Sequence, residues 1–363
     1  MNPMLRRTFL QTGAAAAMPL SAGEFIALGY DTYSIRDFRW KAFELIDYAA
    51  KLKLDTLQIS SFGEYESLEP AYLAKVKEHA GRLGIAIDAG IGCICPTSSA
   101  WSPRYGTPEE YILKGLKVAR AVGAPSMRCF VGSAAERRAN GPVAKHLEAT
   151  LKVLRSVRQQ AQDTGVKIAI ENHNGDLRAR ELRTLVEEAG KDFVGVCLDA
   201  GNPIWLMEDP QFTLEILGPY VTTTHVRDTA LYEHPRGAAF QWVALGDGCI
   251  DLAAWLAGVR KAAPKAALQL EIITGRPPQV LPYLEPGYWS AFPDFPAADF
   301  ARFLALVKKG HPFTGPMMVA GAGKQPPEYA AALKQQQMVD LERSLEYAKK
   351  TLGAGHRWRT PAG

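Results

Sequence analysis

Four short apolar runs in this chain each end in a residue able to bind a metal ion. Glu171 closes Lys167-Ile-Ala-Ile-Glu171, and Asp199 closes Val194-Gly-Val-Cys-Leu-Asp199. His225 closes Val221-Thr-Thr-Thr-His225, and Glu271 closes Ala267-Leu-Gln-Leu-Glu271. A run this short, apolar and bounded by polar residues reads as a strand buried on both faces. A carboxylate can end such a strand where the chain emerges, or where a partner offsets its desolvation. If the four ends converge, three carboxylates and one imidazole make a divalent-metal site. An oxygen-dominated set suits Mn²⁺, the expected ion, or Mg²⁺ or Co²⁺, and Zn²⁺ also accepts such ligands. The five cysteines lie in or beside apolar runs and read as small core residues.

Neighbouring polar residues extend the set. His173 lies two residues past Glu171, and Asn202 three past Asp199. Arg227 and Asp228 follow His225. His173, Asn202 and Arg227 are candidate substrate contacts, with a supporting hydrogen bond as the competing role for His173. An arginine cannot act as a base, but it grips a carboxylate, a phosphate or a ring hydroxyl. Asp228 is the candidate to fix the tautomer of His225. Tyr33 and Trp205 either stack on a substrate or pack at a rim. Gly246-Asp247-Gly248 reads as a turn.

Positioning these residues requires strands that all point one way. Strands are expected at 25–30, 56–60, 85–91, 126–131, 167–171, 194–199, 221–225 and 267–271. Helical patterns lie between them, at 38–54, 68–83, 107–122, up to 163 with a break at Gly141-Pro142, 177–189, 210–217 and 250–263. Thr107-Pro108-Glu109-Glu110 is a strong helix start: a cap, a first-turn proline and acids at the positive end. Eight consecutive βα units predict an α/β protein, a (β/α)8 TIM barrel, with all strand carboxyl ends on one face. A doubly wound open sheet competes, but the first strand is followed by Tyr30-Asp-Thr-Tyr-Ser, with no glycine-rich loop.

One barrel domain is expected over 24–353. A Pro- and aromatic-rich insertion, 275–325, follows strand eight and contains a helix at 298–309. It is either a lid over the site or an aromatic packing or subunit-contact segment. A closing helix is expected at 338–352 and a loose tail over 354–363. At the other end, Arg6-Arg7-Thr-Phe-Leu and an Ala-rich run over 12–20 look like a twin-arginine export signal spanning 1–23. An ordinary basic N-terminus is the alternative. With that signal the protein would work in the periplasm, or otherwise outside the cytoplasm.

Composition is that of a globular protein, 47% hydrophobic and 22% charged, with a formal charge of +4 and no block of like charges. This argues against nucleic acid or an anionic membrane as a partner. A second copy of the chain is a possible partner.

The motifs Ile170-Glu171-Asn172-His173, Leu198-Asp199-Ala-Gly-Asn202, His225-Val-Arg227-Asp228 and Leu270-Glu271 resemble the xylose isomerase-like superfamily of TIM barrels. The ending Asp340-Leu-Glu-Arg-Ser-Leu-Glu-Tyr-Ala-Lys349 resembles the last helix of its sugar phosphate isomerase/epimerase members. The resemblance spans about 25–353. It implies a ketose held by the ion, with Glu171 and Glu271 as base and acid on opposite faces of the carbon that loses its proton. The implied activity is isomerisation or epimerisation through an enediolate. The alternatives are a dehydratase or lyase that expels a β-leaving group, and a sugar-binding relative without turnover. The sequence departs from the family at Asn202, where several epimerases carry His, and at Arg227, where dehydratase-like relatives carry Lys.

Overall fold

The alternation of strands and helices closes on itself. The structure is a computed structural model describing residues 25–319, 323 and 325–359, so the expected export signal at 1–23 lies outside the described residues. The barrel strands are β1 (Leu28–Asp31), β2 (Thr56–Ile59), β3 (Ala86–Cys93), β4 (Ser126–Phe130), β5 (Lys167–Glu171), β6 (Val194–Asp199) and β7 (Val221–His225). The hairpin β8 (Asp228–His234) and β9 (Gly237–Val243) intervenes before the eighth barrel strand, β10 (Leu268–Leu270). All eight barrel strands are parallel, in the order β10-β1-β2-β3-β4-β5-β6-β7. Val226 closes the seam between β7 and β10. Its N–H donates to Gln269 at 2.8 Å, and its carbonyl accepts from the Glu271 N–H at 3.0 Å. The expected (β/α)8 barrel is the fold.

The helices are α1 (Ala42–Lys51), α2 (Pro70–Arg82), α3 (Pro108–Val122), α4 (Ala135–Arg138), α5 (Val143–Ser156), α6 (Arg158–Thr164), α7 (Ala179–Ala189), α8 (Pro210–Leu217), α9 (Leu252–Ala262), α10 (Ala297–Lys309) and α11 (Pro327–Lys350). The sequence signals for α3 act as read. Thr107 Oγ1 accepts from Glu110 N–H, Glu110 returns the bond to Thr107 N–H, and Gly123 ends the helix at φ 82°. In α7, Leu182, Leu185, Val186 and Ala189 form the helix-spaced apolar stripe that packs on the barrel.

Several expectations need correction. The hairpin of β8 and β9 lies where neither a strand nor a helix is expected. β9 is buried along its whole length, so it lacks the apolar–polar alternation that announces a strand. The closing helix α11 begins well before residue 338. Its first turns carry no apolar stripe, and Pro326 and Pro327 set its start. Residues 356–359 are not loose. The N–H groups of His356 and Arg357 donate to Asp55, and Arg357 also reaches the Leu54 carbonyl at 3.1 Å.

The insertion after β10 joins the hairpin in a cap. Its strand β11 (Gln279–Leu281) pairs antiparallel with β9. Its helix α10 buries Phe303 and Val307 in a separate small core with Leu231, Phe240, Leu281 and Phe292. Most of the insertion's aromatics, Tyr283, Trp289, Phe295 and Phe300, pack against this core and one another, which accounts for the segment's composition.

The barrel interior is polar below the mouth. Asp88 accepts from Ser126 Oγ (2.9 Å) and Thr223 Oγ1 (2.7 Å), and Gln269 donates to Thr56 Oγ1 (3.0 Å). Side chains alternate along a strand, so Thr223 facing inward places His225, two residues on, inward as well.

Candidate metal centre

The strand ends bring the four expected ligands together. One ligand atom from each of Glu171, Asp199, His225 and Glu271 lies within 4.8 Å of every other, and all four residues are buried. Two atoms on opposite sides of one ion, with bonds of about 2.0–2.3 Å, stand about 4.0–4.6 Å apart, so the spread suits a small cation. Strand register produces the convergence. Glu171 pairs with Cys197 across β5 and β6, and Asp199 pairs with His225 across β6 and β7. Asn172 locks β5 to β6: its Nδ2 donates to the Asp199 carbonyl (3.0 Å), and its Oδ1 accepts from the Asp199 N–H (2.8 Å).

Each ligand is oriented by a specific partner. Glu171 Oε2 accepts from Arg128 Nε at 2.6 Å, which leaves Oε1 toward the centre, 3.4 Å from His225 Nδ1. Asp199 Oδ1 accepts from the N–H groups of Gly201 (2.7 Å) and Asn202 (2.6 Å), which leaves Oδ2 toward the centre. Glu271 Oε2 lies 3.2 Å from His225 Nδ1. His225 Nε2 faces the other way, bonded to Gln58 Oε1 and 3.4 Å from Asp31 Oδ2. The Gln58 oxygen only accepts, so Nε2 keeps a proton and Nδ1 is the nitrogen that can offer a lone pair to an ion. Burial works to lower His225, but Cys197 and Glu171 raise it well above its ordinary value until an ion displaces the Nδ1 proton.

Two observations fit a divalent cation to this set. His225 Nδ1 is buried and has no hydrogen-bond partner among the described residues, a costly state for a buried acceptor. Formal charge is also unbalanced. With His225 neutral, as a metal-bound imidazole is, the carboxylates of Asp31, Glu171, Asp199 and Glu271 outnumber the guanidiniums of Arg128 and Arg227, an excess of two negative charges. A divalent ion would cancel it.

The pKa directions follow from burial and these neighbours. Burial works to raise Glu171, but Arg128 and then His225 outweigh it and hold the carboxyl well below its usual range. Burial likewise works against ionised Asp31, and His225 and Arg128 keep it below its ordinary value. Asp199 is raised, chiefly by burial, with Arg227 opposing. Burial lowers His173 to about 4, so its imidazole is neutral at neutral pH. Its Nδ1 donates to the Gly132 carbonyl at 2.6 Å, which leaves Nε2 an acceptor.

The expected substrate contacts all line one cavity of about 430 Å³ above the centre. His173, Asn202, Arg227 and Glu271 are in its wall, with Tyr33, Arg128 and Arg276. Two of the three also serve the ligands. Asn202 Nδ2 donates to Glu171 Oε1 at 3.0 Å. Arg227 Nη2 bonds Asp199 and Glu271, and its guanidinium lies over Trp242 at 4.8 Å. Asp228 does not act on His225, contrary to expectation. Its carboxylate accepts from the N–H groups of Thr229 (2.8 Å), Gly246 (3.0 Å), Gly248 (3.1 Å) and Ile250 (3.3 Å), so it organises the Gly246-Asp247-Gly248 turn. A Cβ on Gly248 would meet Asp228 Oδ1 at 2.1 Å, which is why that turn needs glycine there.

Sequence reasoning missed Gln58, Arg128, Asp31 and Glu64. The signal for Arg128 was the same as for the ligands: a charge inside the apolar run Ser126-Met-Arg-Cys-Phe needs a buried partner. Glu64 lines the cavity, and burial, then Asp31, pushes its carboxyl up to about 7.

Known proteins share this architecture. The family model described as xylose isomerase-like TIM barrel matches residues 46–286, and the chain belongs to that family. A curated relative, the 3-oxo-isoapionate decarboxylase of Pectobacterium atrosepticum, is 23% identical over 238 residues, covering 62% of this chain and 78% of that protein. The crystal structure of D-psicose 3-epimerase in the presence of D-fructose superposes with a TM-score of 0.58 at 15% identity, covering 91% of this chain and all (100%) of that one. A xylose isomerase-like TIM barrel protein from Mycobacterium smegmatis in complex with magnesium gives 0.54 at 11% identity, covering 79% and 98%. At such identities the superpositions show the fold alone. These relatives with a named activity are enzymes, and the buried Glu/Asp/His cluster fits a divalent metal.

Proposed function

We propose that this protein is a divalent-metal-dependent isomerase or epimerase of a ketose or keto-sugar, working through an enediolate. The observation that carries this is the pair Glu171 and Glu271. They reach one centre from β5 and from the end of β10, and their carboxylate oxygens lie 3.4 and 3.2 Å from His225 Nδ1. Mn²⁺ is the ion proposed, held by Glu171, Asp199, His225 and Glu271, and it would polarise a carbonyl and stabilise negative charge developing on its oxygen. One glutamate takes the proton from the carbon beside the carbonyl, and the other returns a proton to the opposite face. Ionised Glu171 is a weak base because Arg128 holds it, so close placement supplies much of the rate. Neutral His173, with Nε2 as acceptor, takes a hydrogen bond from a substrate hydroxyl. The paired Arg6-Arg7 supports export as part of the same proposal.

A second reading has its own support. Arg276 lines the cavity beside the carboxylate-paired Arg128 and Arg227, and a carboxylate on the substrate could meet it. The named relative is a decarboxylase of a 3-oxo compound. An enediolate also forms when a 2-hydroxy-3-oxo acid loses CO₂ in place of a proton. The test is proton exchange in D₂O with Mn²⁺-loaded protein over a panel of ketoses, keto-sugars and 3-oxo sugar acids. Deuterium is expected at the carbon next to the carbonyl, with a loss of 10²-fold or more in Glu171→Gln and in Glu271→Gln. CO₂ release without exchange into the remaining substrate selects the second reading. Neither exchange nor CO₂ release across the panel sinks both.

A further inference from the structure

A second, smaller cavity of about 190 Å³ adjoins the one over the metal centre, and Asn174, Trp242 and Arg276 line both. The rest of its wall comes from Trp205, Phe240, Gln241, Pro277 and Gln279. Every segment that builds it lies on the ligand-bearing rim. Asn174 follows β5, and Trp205 stands in the 3-10 turn Asn202–Leu206 after β6. Phe240 and Trp242 come from β9, and Arg276 to Gln279 lead into β11. The cap therefore approaches the substrate space through these residues, while its other aromatics stay in their own small core.

The chemistry of this wall is specific. Three aromatic rings meet here: Trp205 packs edge-on against Phe240 at 5.0 Å and tilted against Trp242 at 5.9 Å. Three polar atoms of the lining residues, Trp205 Nε1, Trp242 Nε1 and Asn174 Oδ1, are buried and have no partner among the described residues. Buried tryptophan N–H groups ordinarily find an acceptor. Leaving such a group unpaired is costly, so three in one place need an explanation. Two donors and one acceptor beside aromatic faces are matched by a ring with apolar C–H faces and hydroxyls at its edge, since a hydroxyl both accepts and donates. An anionic group fits poorly, because Arg276 is the only cationic side chain in the wall and it is exposed.

We propose that the second cavity is a subsite for a second saccharide ring, so that the substrate is a keto-glycoside or keto-disaccharide and not a free monosaccharide. This rests on the proposed reading of the metal centre as the place of the keto ring. Trp242 belongs to both compartments and carries Arg227 over its face, so it would mark the junction where the glycosidic oxygen lies.

The experiment is calorimetric titration of the Mn²⁺-loaded protein with a panel of keto-disaccharides, with their constituent monosaccharides and with aryl keto-glycosides. Binding is read directly, so the result stands whether or not proton exchange is found. At least one disaccharide is expected to bind tenfold or more tighter than either of its units. Trp205→Ala, which removes one wall, and Gln279→Trp, which fills the compartment from a half-buried edge, should each bring that ratio toward one. Two variants of opposite size guard against a fold defect in either, and thermal melting checks both. If no disaccharide outbinds its own units, or if the ratio survives both substitutions, the subsite is overturned. An aryl glycoside that outbinds every disaccharide overturns the saccharide ring in favour of an aromatic group.

Discussion

His225 illustrates how far single residues carry the function. Its Nδ1 points among the carboxylates while its Nε2 is committed to Gln58 and Asp31. Which nitrogen is free to bind a metal is thus decided by Gln58, on the far side of the ring. Gln58→Leu should lower Mn²⁺ affinity about 10- to 100-fold, the usual effect of losing a partner that fixes a ligating imidazole. Titration calorimetry against the parent reads this, and an unchanged affinity would remove Gln58 from that role. Glu171, Asp199, His225 and Glu271 were legible because each is a ligand type standing where an apolar strand ends. Gln58 was not, because an amide inside a strand carries no charge that demands a partner. Asp228 was misplaced for a different reason. Three residues from His225 in sequence, it already lies in β8, where its carboxylate faces the backbone of another turn.

At the scale of elements, packing overrode local pattern where segments serve two neighbours. The eight strands and their intervening helices were legible from apolar runs and caps. The hairpin and the early turns of α11 were not, since neither shows the periodicity that burial on one face imposes. Another device joins elements that sequence cannot relate. Glu208, just before α8, accepts from the N–H of Ala179, the first residue of α7, at 3.0 Å. Burial pushes its carboxyl up to about 8 from an ordinary value of 4.5. Between those values the folded chain holds a proton that the unfolded chain has lost, so this group subtracts stability as pH rises through the window. Glu208→Gln keeps an acceptor for Ala179 and removes the ionisation. Urea unfolding at pH 4.5 and pH 8 should find the variant gaining on the parent with rising pH, by on the order of 2–4 kcal/mol at the upper end. An equal difference at both pH values would mean that Glu208 does not titrate in this range.

For the whole molecule, the metal centre is also a clasp. Its ligands come from β5, β6, β7 and the end of β10, so one ion would tie together half the barrel mouth, including the seam at Val226. Chelator-treated protein should melt at a lower temperature than protein supplied with Mn²⁺. The ion adds about 2.7 kcal/mol of stability at a hundred times its dissociation constant. Calorimetric melting checks this, and a midpoint indifferent to Mn²⁺, Mg²⁺, Co²⁺ and Zn²⁺ would remove the case for a metal. Alone, the amino-acid order determined the number of barrel strands, their common direction and the four residues placed at the ends of four of them. Each of these follows from local rules: apolar runs become buried strands, and eight βα repeats put all carboxyl ends on one rim. Only the tertiary structure decided which atoms meet across that rim. It turned Nδ1 of His225 inward, set Arg128 on Glu171 and folded the cap into an aromatic wall beside the cavity. Those contacts depend on register and side-chain direction between segments far apart in the chain, and no local pattern encodes them.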